Sequence, residues 1–255
     1  MADDKQFSRR DFLKVSGTAT GGVLAGTLLG SVVTGSFMKD DNDTDNANQS
    51  ETNSANKESD KETKNYSEAR MFFTRFEDFQ VLEEATETIY PEDDNGPGAI
   101  QLGVPYFIDK QLASQWGDNS NDFRQGPFTN ASVDESSITR GKMFLVGLRT
   151  LDDYSNKEFD KGFIDLSEDD KIKALQALEN DEVDMPVIDS SIFFALLRNA
   201  TFEGAYADPL YGGNKNMDGW RMKEYPGPVM SYEDMIESKD FVEIDPISLT
   251  DYQQK

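Results

Sequence analysis

The chain has 255 residues, and 49 acidic against 25 basic side chains give it a net charge of −24. A surface that negative repels nucleic acid and anionic lipid, which removes both as partners of the folded part. The sequence contains no Cys and no His, which excludes disulfides, thiolate nucleophiles, iron–sulfur ligation, c-type haem attachment, the Ser-His-Asp triad and nearly all zinc sites. Carboxylate chemistry and oxygen-ligated cations are what remain.

In chain order, Ser8-Arg9-Arg10-Asp11-Phe12-Leu13-Lys14 leads into an uncharged run from Val15 to Met38 that Lys39 closes. A basic segment before an apolar one is the shape of a targeting signal. Ser8, Arg9, Arg10, Phe12, Leu13 and Lys14 fit every position of the S/T-R-R-x-F-L-K pattern, so the segment resembles the twin-arginine export signal. That resemblance implies delivery to the Tat translocase of a chain folded before crossing, and an extracytoplasmic location. The run of residues 15–38 reaches the ~20 residues that span a bilayer, and no A-x-A cleavage site stands near its end. Two fates stay open, a cleaved signal and a retained membrane anchor. Residues 39–65 carry no aromatic side chain and no aliphatic one larger than Ala. Such a stretch buries too little apolar surface to offset the entropy of ordering and reads as a disordered acidic linker.

The folded part starts near Tyr66. Thr74-Arg75-Phe76-Glu77 has the spacing of a capping box, and Phe76, Phe79, Leu82, Ala85 and Ile89 recur at helical period until Pro91 stops them. Glu92 to Gly98 reads as a solvated turn; it is acidic enough for a Ca²⁺ loop but lacks the alternating ligands and distal Glu of an EF-hand. Ala99 to Trp116 is again helical in period, with Pro105 kinking or restarting it. Lys142 to Tyr154 predicts a further helix. Ser167 before Glu168-Asp169-Asp170 caps another, with Ile172, Leu175 and Leu178 behind it. Ser190 caps the next, carrying Ile192, Phe193, Leu196, Leu197 and Ala200. Period-2 strands are lacking. The class is mainly α, an irregular compact helical domain with long ordered loops over residues 66–230, preceded by the signal or anchor (1–38) and the linker (39–65), and followed by a C-terminal extension (231–255).

From Thr201 to Trp220 aliphatic periodicity gives way to dense aromatics, Gly and Pro. Gly212-Gly213 permits close backbone approach and Asp208-Pro209 favours a turn. The segment lacks the strand–loop–helix setting of a phosphate cradle. An ordered loop of this composition suits partner contact, with Tyr and Trp supplying area and a polar handle. The candidate interface is Tyr206, Asp208, Pro209, Tyr211, Gly212, Gly213, Asn214 and Trp220. The alternative is a loop folded back over its own helices.

These segments together resemble the gluconate 2-dehydrogenase subunit 3 family, the small or gamma subunit. The resemblance rests on the helix ending Ile89-Tyr90-Pro91, on Gly98-Ala99 leading to Tyr106-Phe107-Ile108-Asp109, on Phe123-Arg124-Gln125-Gly126, and on Phe193-Phe194 followed by Arg198. Its most specific part is Gly204-x-Tyr206-x-Asp208-Pro209-x-Tyr211-Gly212-Gly213-Asn214, with Gly219-Trp220 and Tyr225-Pro226-Gly227 after it. It covers roughly Met71 to Pro228. It implies a small, helical, non-catalytic subunit with no cofactor of its own, bound to a large FAD-dependent flavoprotein of the glucose–methanol–choline type. A membrane cytochrome c carrying haem c is the further partner it suggests. No catalytic residue and no metal ligand carry over. Two other functions compete on the sequence: a stand-alone carboxylate enzyme using Glu203 and Asp208, and a tethered extracellular binding or structural module without a dehydrogenase partner.

Overall fold

A computed structural model describes residues 68–240 and 242–253. The twin-arginine segment, the run of residues 15–38 and the linker lie outside the described residues. Among the described residues the architecture is helical. It comprises α1 (Phe76–Ile89), α2 (Val104–Leu112), α3 (Arg140–Phe159), α4 (Glu168–Glu179) and α5 (Ser190–Tyr206), then the short α6 (Asp218–Arg221) and α7 (Leu249–Gln253). Extended pairing there is confined to an isolated antiparallel bridge between Asp93 and Gly96. No helix among the described residues is long and apolar enough to cross a membrane.

Helix α5 is apolar over most of its circumference, and such a helix belongs inside a bundle. Phe193, Phe194, Leu196, Leu197, Ala200 and Ala205 are all buried, and α5 packs against α1, α2, α3, α4 and α6. The buried Thr201 is satisfied within the helix: its hydroxyl donates to the Leu197 carbonyl at 2.8 Å. Helix α1 covers α5 with Phe79, Leu82, Ala85 and Ile89. It is tied to α3 through the buried Asp78, which accepts from Arg149 Nε at 3.1 Å and Nη2 at 2.7 Å.

Several helix boundaries differ from the sequence expectation. The Thr74 capping box does not form: α1 starts at Phe76 after Arg75, with no side-chain cap. The reason lies in the entering chain. The buried Asp109 carboxylate accepts the N–H groups of Met71, Phe72 (3.1 Å) and Phe73 (2.9 Å), which seats Phe73 in the core. Phe76 is then left at the surface, where the Arg70 guanidinium sits 5.0 Å from its ring centroid. The run from Ala99 to Trp116 restarts at Pro105, one of the two outcomes expected, but the stretch before it is not helical. Turns occupy residues 99–103, and α2 begins at Val104 with Pro105 in its first turn, where a missing N–H removes no helix bond. Helix α3 is longer than expected and is capped by Thr139. Ser167 caps α4 as expected, its hydroxyl accepting from Asp170 N at 3.3 Å. Ser190 does not cap α5. Asp189 is the cap residue, and the Ser190 hydroxyl turns inward to the Leu178 carbonyl at 3.0 Å.

The acidic turn after α1 is held by its own side chains. Asp93 accepts from Asn95 N at 2.9 Å, and the two Glu87 oxygens take Ile100 N at 2.8 Å and Glu92 N at 3.3 Å. Among the described residues no group of acidic side chains is placed to hold a metal ion.

Candidate functional site

Two segments distant in sequence are knitted together at one end of the bundle: the turn before α2, and the chain leaving α5. Thr201 to Tyr206 belongs to α5 itself, so the irregular segment begins at Ala207 and not at Thr201. Gly204 lets α2 lie close against α5, since a Cβ there would sit 2.9 Å from the Phe107 ring and 3.0 Å from a Val104 methyl. Gly213 then folds back on the same turn; its Cβ would stand 2.2 Å from the Gly204 carbonyl oxygen. Only a residue without a side chain fits either place.

Asn214 is fully buried and adopts φ 47, a left-handed conformation that Asn tolerates better than most residues. Its amide donates to the Ala207 carbonyl at 2.9 Å, and its carbonyl accepts from Gly219 N at 2.8 Å. One side chain thus closes the loop between residues 207 and 219. Trp220 is buried beside it, donating Nε1–H to the Tyr206 carbonyl at 2.8 Å and meeting the Tyr225 ring edge-on at 5.3 Å. The Tyr206 hydroxyl lies 3.0 Å from that of the buried Tyr90. Lys215 N donates to the Leu102 carbonyl at 3.0 Å, joining the loop to the turn ahead of α2.

Asp208 orders the tip. Its Oδ1 accepts from Leu210 N and its Oδ2 from Leu249 N, each at 2.9 Å. The second bond comes from the C-terminal extension, whose Ile247 N also donates to the Pro226 carbonyl at 3.1 Å. Pro209 opens a short 3₁₀ turn through Tyr211, and Gly212 ends it at φ 97. Of the eight candidate residues, Gly213, Asn214 and Trp220 are therefore committed to the interior, while Tyr211 stands half exposed at 51%. Ile100, Leu210 and Tyr225 are further exposed apolar side chains here.

With both Asp208 oxygens bound to backbone amides, that carboxylate is a loop clamp. Glu203 is exposed on α5, where partial desolvation raises its pKa and the Arg140 charge opposes the rise. Burial likewise raises Glu87 and lowers Lys110.

The family model described as gluconate 2-dehydrogenase subunit 3 matches residues 77–227. The chain belongs to that family. The subunit 3 match begins inside α1 and ends at Gly227, so it takes in the five long helices and the loop after α5, while Ile247 and Leu249 of the site lie beyond it. Membership makes the chain a small subunit of a multi-subunit dehydrogenase complex of the gluconate 2-dehydrogenase kind. No curated protein and no solved structure matches it.

Sequence reasoning passed over the roles of Asp109 and Arg140 in this subunit 3 domain. Asp109 anchors the entering chain. Arg140 binds Asp122 at 2.6 Å and Asp134 at 3.2 Å, and lies 5.3 Å from the Trp116 ring centroid. Asp109 faces partners 36 and 37 residues away and Arg140 reaches Asp122 18 residues away, which local patterns do not reveal. The three-residue amide comb held by Asp109 leaves no periodic trace.

Proposed function

We propose that this chain is the non-catalytic escort of an exported, membrane-associated, FAD-dependent sugar or alcohol dehydrogenase. It binds the large flavoprotein subunit, of the glucose–methanol–choline type, and stabilises it during twin-arginine translocation. The observation that carries this reading is the family match across residues 77–227. Composition supports it: a chain without Cys and His lacks the commonest redox and proton-transfer ligands, so FAD belongs to the flavoprotein and any haem c to a third, cytochrome subunit. The resemblance of residues 8–14 to a twin-arginine signal supports it too, because FAD has to be inserted before such a pair crosses. The exposed side of the loop after α5, with Leu210, Tyr211 and Tyr225 on a backbone clamped by Asn214 and Asp208, is the contact surface in this reading. Rigid aromatic anchors of that kind carry most of the energy in protein interfaces.

The escort role is tested by replacing Arg9 and Arg10 together with Lys and following the co-expressed flavoprotein. Its dehydrogenase activity should remain in the cytoplasm. Normal activity outside the cytoplasm with the double variant would show that the flavoprotein travels without this chain.

A further inference from the structure

A different loop, residues 117–138, carries a feature that the region after α5 does not explain. Phe123 is 94% exposed, more than any other large apolar side chain described, and its backbone adopts φ 49. A bulky residue in the left-handed region is an outlier, and such strain persists only where the surroundings impose it. Here they do. On one side, Asn119 donates to Asp122 Oδ2 at 2.6 Å and accepts from Arg140 N at 2.7 Å, while Arg140 also pairs with Asp122 at 2.6 Å. On the other side, Arg124 donates to the Ser136 carbonyl at 2.7 Å, with its guanidinium 5.6 Å from the Phe128 ring centroid. Asp122 and Arg124 are thus fastened to the domain while the ring between them points into solvent.

Resting on the escort reading above, we propose that Phe123 is an anchor of this subunit, seated in the assembled complex in an apolar pocket with a basic rim on the flavoprotein. A preorganised aromatic loses little conformational freedom on docking, which is the profile of an interface hot spot. The charge of the loop selects the occupant. Between residues 117 and 140 the four carboxylates Asp118, Asp122, Asp134 and Glu135 stand against two basic residues, Arg124 and Arg140, the latter paired with Asp122 and Asp134, so the loop stays net acidic. That repels an anionic bilayer and favours a pocket with basic residues around it. A second copy of the chain would bring another net charge of −24 to the contact.

The test uses the purified chain and the FAD-loaded flavoprotein co-expressed with it, with Phe123→Ala and Phe123→Asn. The Asn variant suits the left-handed backbone, so the melting temperature of the isolated chain should hold or rise. Affinity for the flavoprotein should fall roughly tenfold or more for both variants, the loss typical of a hot-spot aromatic. Wild-type binding with the variants unchanged to within about twofold would overturn the anchor alone. A fall in both affinity and melting temperature with Phe123→Asn would make the residue merely structural and overturn it as well. A wild-type homodimer that Phe123→Asn dissolves would replace the flavoprotein by a second copy. Failure of the wild-type chain to bind the flavoprotein at all would remove the escort reading, and the anchor with it.

Discussion

Replacing Asn214 by Ala removes an acceptor and a donor that span residues 207 to 219 and leaves the Gly219 N–H and the Ala207 carbonyl unsatisfied inside the protein. Unmade buried hydrogen bonds cost about 1–3 kcal/mol each, and Ala tolerates φ 47 poorly. We expect a loss of about 2–3 kcal/mol, read as a fall of roughly 5–10 °C in melting temperature for a domain of this size. Asp208→Ala should behave differently. Its two acceptor bonds lie at the partly exposed tip, so the loss should be about 1 kcal/mol. Hydrogen exchange should speed up at Leu210 and Leu249 while the α5 amides stay protected; uniform deprotection would contradict the clamp. Composition and resemblance pointed to the segment from Tyr206 to Trp220, but they could not sort its residues. Tyr211 and Trp220 look alike as aromatic letters, and only the fold sends one outward and the other beneath the loop. Phe123 shows the same limit, since an isolated Phe gives no sign of its exposure.

At the scale of helices, α1 and α4 were legible because their apolar residues recur along one face and their ends carry local signals. Helix α5 was legible in its first half only. Its second half, Thr201 to Tyr206, reads as loop because Gly204 and the aromatics interrupt aliphatic periodicity; Gly204 is there to admit α2. The α1 cap was misplaced for a comparable reason. Asp109, on α2, fixes the chain ahead of α1, and a partner 36 residues away overrides the Thr74 box. The docking of α1 on α3 yields a prediction. Arg149→Met keeps the aliphatic stem but strips the buried Asp78 of its bidentate partner, leaving Arg75 at 3.8 Å. We expect a loss of about 2 kcal/mol in denaturant unfolding, below that of a fully buried pair because Arg149 itself is half exposed. Restored stability in the double variant Asp78→Leu, Arg149→Met would confirm that the cost is an unpaired charge.

For the whole molecule, the acidic balance sets the pH response. Burial raises the carboxyl groups of Glu83, Glu87, Glu179 and Glu203. A carboxyl raised in the folded state binds its proton more readily there than in the unfolded chain. Its stabilising effect is complete below the unfolded pKa and disappears as the pH climbs through the folded one. Asp122 is shifted the opposite way, held down by Asn119 and Arg140 against its own burial, so its contribution is lost in acid. The melting temperature should therefore rise as the pH falls from neutral towards the ordinary carboxyl range, about 4–4.5, and drop again in stronger acid as Asp122 is protonated. A monotonic loss of stability from neutral pH downward would refute these assignments. The family and the helical class were both legible in the sequence; the joining of the α2 turn, the α5 end and the C-terminal extension into one surface was not, because backbone contacts across 100 residues leave no local pattern. In the proposed function that surface is the contact with a second chain. The most direct measurement is the mass and flavin spectrum of the particle formed when this chain is co-expressed with the flavoprotein and purified by size exclusion with light scattering. The account predicts a stoichiometric complex with FAD absorbance in the peak that contains this chain. Two separate peaks, with the flavoprotein fully active and stable on its own, would contradict it.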